Sequence, residues 1–449
     1  FTAPGGCPFN CLYCPKVNNT PKSYLQDEPA IMRAIRNNYD PLKQTLSRLL
    51  QLKLLGHSIS KIDIIIQGGT FSYYSQAYRK DFITKIFLAA NADIQTILKK
   101  GYLDIPKNLD LDKIQKINET AKNRIIGITI ETRPDFINEE ELKFLRELGV
   151  TRIEVGVQSL NENVLKTIRR GHDLMAVKKA NKCLRDFGFK VNFHMMPNLP
   201  GATPAKDISM FKELFADSSY RPDYLKIYPT MVVKGSDLVN WQKKNLYKSY
   251  SNKVLLKTLC SIYECLPNYV RVQRLIRDIP AGEIVSGSTV SNLHEDLDQI
   301  FLKKHQSLLE IRSREIVGAE PAKELKLKIT QYEAVAGQEY FLEYVDSQNR
   351  LYGLLRLRLG KDNLQSYNLS NQNIALIREI HVYGEATQLK LKGLVQHQGL
   401  GTQLLKEAEK IATLNHCNAI AVIAGVGVRD YYRLKGYRLF KTYMYKKLI

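Results

Sequence analysis

The sequence predicts an α/β chain: a complete or partial (β/α) barrel over residues 1–280, a linker over 281–328, and a smaller α+β domain over 329–449. Three observations carry this. Through the first 280 residues, short apolar runs alternate with amphipathic stretches, the rhythm of a parallel sheet with helices outside. Polar residues gather where those runs end, which in barrel folds is the face that carries the active site. Past Tyr332, apolar and polar positions alternate, as antiparallel strands require.

In chain order, a Cys-containing loop (7–14) leads into Pro21-Lys22-Ser23-Tyr24 and a helical stretch reaching Tyr39 and Asp40. Leu42, Leu46, Leu49, Leu50 and Leu54 recur at helical spacing and stop at Gly56. Residues 62–66 read as a buried strand closed by Gln67-Gly68-Gly69-Thr70, and 125–131 as a strand followed by Thr132-Arg133-Pro134-Asp135. Asn138 and the acidic Glu139, Glu140 and Glu141 open a helix that Gly149 closes. Strands are expected at 151–158, 190–196, 225–228 and 269–273, and a helix at 175–187 ended by Gly188. About six units result. Their strand ends carry Gly68, Gly69, Glu131, Arg133, Gln158, His194, Lys226 and Tyr228. Gly68-Gly69 lets the backbone approach a ligand closely, or forms a plain turn. Glu131, Arg133 and Gln158 suit either a ligand or internal salt bridges, and His194 either a substrate or an inward, satisfied position.

Residues 281–328 lose the rhythm, with Ser286-Gly287-Ser288 reading as linker. The second domain is expected to hold a hairpin (339–345, 350–359), a strand at 374–383, the loop Gln396-His397-Gln398-Gly399-Leu400-Gly401, and a helix at 402–414. A strand at 419–424 and a short helix opened by Arg429-Asp430-Tyr431-Tyr432 follow.

Hydrophobic content of 44% and charged content of 25% are ordinary for a globular protein. No apolar run is long enough to span a bilayer, and no membrane partner is expected. The chain opens at Phe1 rather than Met, which leaves an upstream segment or a removed targeting peptide open. A formal net charge of +21 calls for a polyanionic partner, nucleic acid first, the alternative being a generally basic solvated surface. Cys183, Cys260, Cys265 and Cys417 are scattered and expected as buried free thiols.

Cys7, Cys11 and Cys14 are spaced C-x3-C-x2-C, with Tyr13 before the last. Three thiolates at this spacing can hold one corner of a cuboidal iron–sulfur cluster and leave one iron without a protein ligand. A structural zinc would want a fourth ligand close by, and no Cys or His follows until His57. A zinc knuckle or three ordinary thiols are the alternatives. The motif resembles that of the radical S-adenosylmethionine (SAM) enzymes. That resemblance implies a 4Fe-4S cluster on Cys7, Cys11 and Cys14, SAM on the open iron, an electron donor, and cleavage of SAM to a 5′-deoxyadenosyl radical. It also implies SAM contacts for Gly68, Gly69, Glu131, Gln158 and His194. Thiols that must stay reduced argue for a reducing compartment, here the cytoplasm.

Q-x-x-G-x-G before a helix resembles the pyrophosphate loop of the Gcn5-related N-acetyltransferases (GNAT). Glycines let backbone N–H groups converge, and the helix N-terminus adds positive potential for the coenzyme A (CoA) diphosphate. In that superfamily a Tyr near 431–432 can protonate the departing thiolate. Helical phase favours Tyr432 over Tyr431, and aromatic packing is the alternative for both.

A radical SAM domain followed by such a domain resembles the Elongator catalytic-subunit family of tRNA wobble-uridine acetyltransferases. The resemblance spans essentially the whole chain. Its carriers are Cys7 to Cys14, Met32-Arg33-Ala34-Ile35-Arg36, Gly68-Gly69-Thr70-Phe71, Glu131-Thr132-Arg133-Pro134-Asp135, His194-Met195-Met196-Pro197, Glu379-Ile380-His381-Val382-Tyr383-Gly384 and Gln396 to Gly401. It implies acetyl-CoA contacts at Lys61, Glu379, Ile380, His381, Val382, Gln396, Gly399, Leu400, Gly401, Thr402 and Tyr432. Lys61 lies in the first domain, so the two domains must then face each other. The first Cys gap is shorter than in eukaryotic members, which suggests a stand-alone prokaryotic-type enzyme. The family's tRNA-binding N-terminal region is absent from this sequence.

The implied reaction takes a hydrogen from the acetyl methyl group, joins that carbon to C5 of the wobble uridine and releases CoA by hydrolysis, leaving a carboxymethyl group. The implied substrate is the anticodon stem-loop of tRNA, whose unpaired bases can enter a pocket. Arg271, Arg274 and Arg277 are candidate phosphate contacts or ordinary surface charge. The rival readings are a protein lysine acetyltransferase with a structural cluster and a non-catalytic tRNA-binding scaffold. Some relatives carry a Cys cluster in the linker; none occurs here, so no second metal is expected there. The sequence leaves the oligomeric state, a homo-oligomer included, open.

Overall fold

The computed structural model describes residues 1–94, 96–97, 109–290, 292–316, 324–367, 373–384 and 399–448. The first domain is built on β1 (Lys61–Ile66), β2 (Arg124–Thr132), β3 (Arg152–Gln158), β4 (Lys190–Met195), β5 (Tyr224–Ile227), β6 (Val232–Val233), β7 (Arg271–Arg274) and β8 (Ile284–Ser286). Six of these form one parallel sheet in the order β1-β2-β3-β4-β5-β7, while β6 and β8 form a separate ribbon. The outer strands β1 and β7 do not pair, so the barrel is partial.

The strands alternate as their sequences do. Ile153, Val155, Val191, Phe193, Leu225 and Val272 pack outward on helices that begin with side-chain caps. Asn138 caps Glu139–Glu147, Asp173 caps Leu174–Asp186 and Thr203 caps Pro204–Ala216. The intervening residues Glu154, Asn192, Lys226 and Gln273 meet on the concave side, where Asn192 donates to Gln273 at 2.6 Å and Lys226 pairs with Glu154. The stretch read as linker contains a helix, Leu293–Lys303, whose Leu293, Leu297 and Phe301 lie in the same core.

The second domain adds β9 (Lys326–Ala334), β10 (Gly337–Val345), β11 (Leu351–Leu359), β12 (Ile374–Val382), β13 (Ala419–Val422), β14 (Arg438–Phe440) and β15 (Tyr443–Lys447). The sheet order is β14-β15-β13-β12-β11-β10-β9. Among the described strands of this sheet only β12 and β13 run parallel, and their pairing ends at Ile377 and Val422. From there β12 continues as Arg378–Val382 and the two strands part. The helix Leu400–Leu414 covers one face with Leu404, Leu405, Ala408 and Ala412. The other face, including Phe341, Leu376, Ala421 and Tyr443, joins the barrel's own core.

Between the domains lies a buried layer of four arginines and four carboxylates. Arg378 grips Asp223 through two N–H groups at 2.7 and 2.5 Å and also reaches Glu339 at 3.0 Å. Arg185 binds Glu339 at 2.9 Å, Arg358 binds Asp186 at 2.7 Å, and Arg356 binds Glu379 at 2.9 Å. The contact is close enough to exclude a methyl group at one point: a Cβ on Gly425 would lie 2.0 Å from the Ile126 carbonyl oxygen. Gly425→Ala is therefore expected to push β2 and the second domain apart and to cost about 1–3 kcal/mol, measurable by urea unfolding.

Candidate functional sites at the two ends of the barrel

Cys7, Cys11 and Cys14 share one cavity at the C-terminal ends of the barrel strands. Their loop is pinned by backbone bonds from Leu12 N–H to Ile168 O and from Leu238 N–H to Leu12 O, both 3.0 Å. Arg170, buried, donates to the Cys11 sulfur at 3.6 Å and to the Gly156 carbonyl. A Cβ at Gly156 would sit 2.5 Å from Arg170 Nη2, so glycine is what admits the guanidinium. Burial and the neighbouring Cys11 push the Cys14 thiol up to about 11, so iron would bind with loss of its proton. A three-thiol set beside a fixed cation fits a cluster that keeps one iron for another ligand.

The same cavity brings together Gly69, Glu131, Gln158 and His194. Tyr24 donates to Glu131 at 2.8 Å, and His194 Nε2 lies 2.8 Å from Glu154. Burial would raise the Glu154 carboxyl, but Lys226 and His194 hold it down at about 2. Glu131, Glu154 and His194 cluster closely enough to hold a cation, and Lys226 already pairs with Glu154 and lies 3.9 Å from Glu131. Gln158 sits at an irregularity in β3 with φ +73°, backbone strain that aims it at the cavity. Gly68 does not line this cavity: it packs on Thr2, whose Oγ1 a Cβ would approach to 1.8 Å. Glu154 and Arg170 were missed by sequence reasoning, although Arg152-x-Glu154-x-Gly156-x-Gln158 places polar residues on one strand face.

A second cavity opens where β12 and β13 part. Lys61 from the barrel lines it with Glu379, Ile380, His381, Val382, Gly399, Gly401, Thr402, Tyr431 and Tyr432. Burial would raise Glu379, but Arg356 and Lys190 hold it at about 2; Tyr224 donates to it from β5. Tyr431 bonds the Thr402 side chain, and its hydroxyl lies 3.1 Å from where a Cβ on Gly401 would be. The Tyr432 hydroxyl has no protein partner among the described residues. Burial raises the pKa of both phenols. Leu400 turns into a small core with Tyr352 and Ile316 instead of the cavity, and Gln396 lies outside the described residues. Arg271, Arg274 and Arg277 are paired with Glu315, Asp278 and Glu28. Cys260 and Cys417 are buried thiols, Cys183 and Cys265 half-buried. No described helix is long and apolar enough to cross a membrane.

Residues 3–214 match the radical SAM superfamily profile and 222–301 its C-terminal domain. A tRNA uridine(34) acetyltransferase of Dehalococcoides mccartyi is 38% identical over 100% of this chain and 96% of its own. Elongator complex protein 3 of Schizosaccharomyces pombe is 38% identical over 98% of this chain and 81% of its own. The structure of Methanocaldococcus infernus Elp3 with an N-terminal deletion superposes with a TM-score of 0.84 at 37% identity, covering 92% of this chain and 96% of that one. The chain belongs to the radical SAM superfamily and, within it, to the family of the tRNA uridine(34) acetyltransferases and Elongator complex protein 3.

Proposed function

We propose that the protein modifies C5 of the wobble uridine of tRNA, using acetyl-CoA as donor and a SAM-dependent radical step to leave a carboxymethyl group. One observation carries the reading: strand β5 serves both cavities. Its Tyr224 holds Glu379 of the second, and two residues on Lys226 holds Glu154 and Glu131 of the first. The cluster and SAM, when bound, supply the reactivity that an unactivated methyl C–H needs. Cys7, Cys11 and Cys14 would hold the cluster, with Arg170 offsetting its negative charge. Gly69, Glu131, Gln158 and His194 would orient SAM. Gly399, Gly401 and Thr402 would bind the CoA diphosphate at a helix N-terminus.

Tyr432 is the proposed acid for the departing thiolate, because among the described residues its hydroxyl has no protein partner while that of Tyr431 is engaged by Thr402. Tyr432→Phe is expected to slow acetyl-CoA turnover by about 100-fold and Tyr431→Phe by less than about tenfold. The net charge of +21 supports tRNA as partner through its anticodon stem-loop. An electron donor, a cytoplasmic location and the division into 1–280, 281–328 and 329–449 belong to the same reading. Mass spectrometry of tRNA nucleosides after reaction with SAM, reductant and acetyl-CoA tests it: the wobble uridine should gain mass at C5 and 5′-deoxyadenosine should form. Acetylated lysine on a protein, with tRNA unchanged and SAM intact, would reverse it.

A further inference from the structure

The barrel's rim toward the second cavity carries two cations that no described carboxylate pairs. Lys61 and Arg124 are the first residues of β1 and β2 and stand side by side in register. Both line the second cavity although both belong to the barrel. No described carboxylate pairs with either. Elsewhere on this rim Arg152 pairs with Asp63 at 3.3 Å and Arg271 with Glu315, while Lys190, which lines the same cavity, feels the charge of Glu379. Burial, and after it the adjacent Arg124, lowers the Lys61 ammonium.

The second domain is shaped to close on this pair. A Cβ on Gly427 would lie 2.6 Å from the Arg124 Cβ, so glycine is what brings the loop after β13 onto Arg124. Two adjacent cations without an acid partner among the described residues suit a doubly charged anion. Coenzyme A carries two such demands, a diphosphate and a 3′-phosphate monoester. The Gly399–Thr402 helix start answers the first. We propose that Lys61 and Arg124 clamp the 3′-phosphate of coenzyme A, so that the barrel selects CoA thioesters over their 3′-dephospho counterparts. This rests on the second cavity being the CoA site.

Equilibrium binding of acetyl-CoA and acetyl-3′-dephospho-CoA to the full chain tests the clamp. The wild type should prefer acetyl-CoA by about tenfold or more. Arg124→Gln should abolish that preference by weakening acetyl-CoA alone. Arg124→Lys should retain part of it, since the charge stays and the fork is lost. The preference should also shrink as salt rises. Equal affinities in the wild type, or a variant that weakens both ligands alike, would overturn the clamp while leaving the CoA cavity standing. Binding of neither thioester would remove the CoA reading and the clamp with it.

Discussion

Cys11→Ala should yield a folded chain that retains little or no iron after anaerobic reconstitution and forms 5′-deoxyadenosine only at background level. Cys11 is buried in the loop between Cys7 and Cys14, and two thiols cannot hold what three do. Arg170 would then face an alanine instead of a sulfur. Acetyl-CoA binding should be unchanged, because no residue of this loop lines the second cavity. Iron and sulfide content, visible absorbance and nucleoside chromatography read the result. Wild-type iron in the variant would show that Cys11 is not a ligand.

The second large effect is expected at Asp223. It is fully buried, and Arg378, Arg185 and Arg356 all approach it. Asp223→Ala leaves these guanidiniums short of a partner in a dry interface and should cost about 3–5 kcal/mol, read by urea unfolding at neutral pH. The same layer governs acid stability. Burial would raise Asp223, Glu339 and Glu379, but the arginines around them lower all three, Glu379 to about 2. Carboxyls depressed in the folded state contribute stability that is complete above their unfolded pKa, near 4.5 for Glu, and is lost as pH falls toward about 2. Unfolding free energy should therefore drop steeply across that window, and less steeply in the Asp223→Ala chain.

Much of the barrel was legible because a buried strand announces itself locally. Ile62, Ile64 and Ile66 pack on helices, and the expected strand at 62–66 is Lys61–Ile66. The Cys loop was equally plain, since its chemistry lies in one short stretch. β9 escaped notice because it is an edge strand, largely exposed and rich in charge, with no apolar run to mark it. Arg271 and Arg277 looked available because their partners, Glu315 and Glu28, lie far along the chain. Gly68 looked like a ligand-facing glycine, yet what requires it is Thr2, brought in from the chain's start. Periodicity reports what a residue does with its own strand or helix; who sits across from it depends on the closure of the whole fold.

The layer between the domains is electrically balanced only as a whole. Arg185, Asp186 and Asp223 give the barrel's side one excess negative charge, and Glu339, Arg356, Arg358, Arg378 and Glu379 give the other side one excess positive charge. A chimera joining the barrel of one relative to the acetyltransferase half of another inherits two incomplete charge sets. Unless both sides are transplanted as a matched pair, such a hybrid must hydrate its seam, and the active centres on either end would lose their common frame.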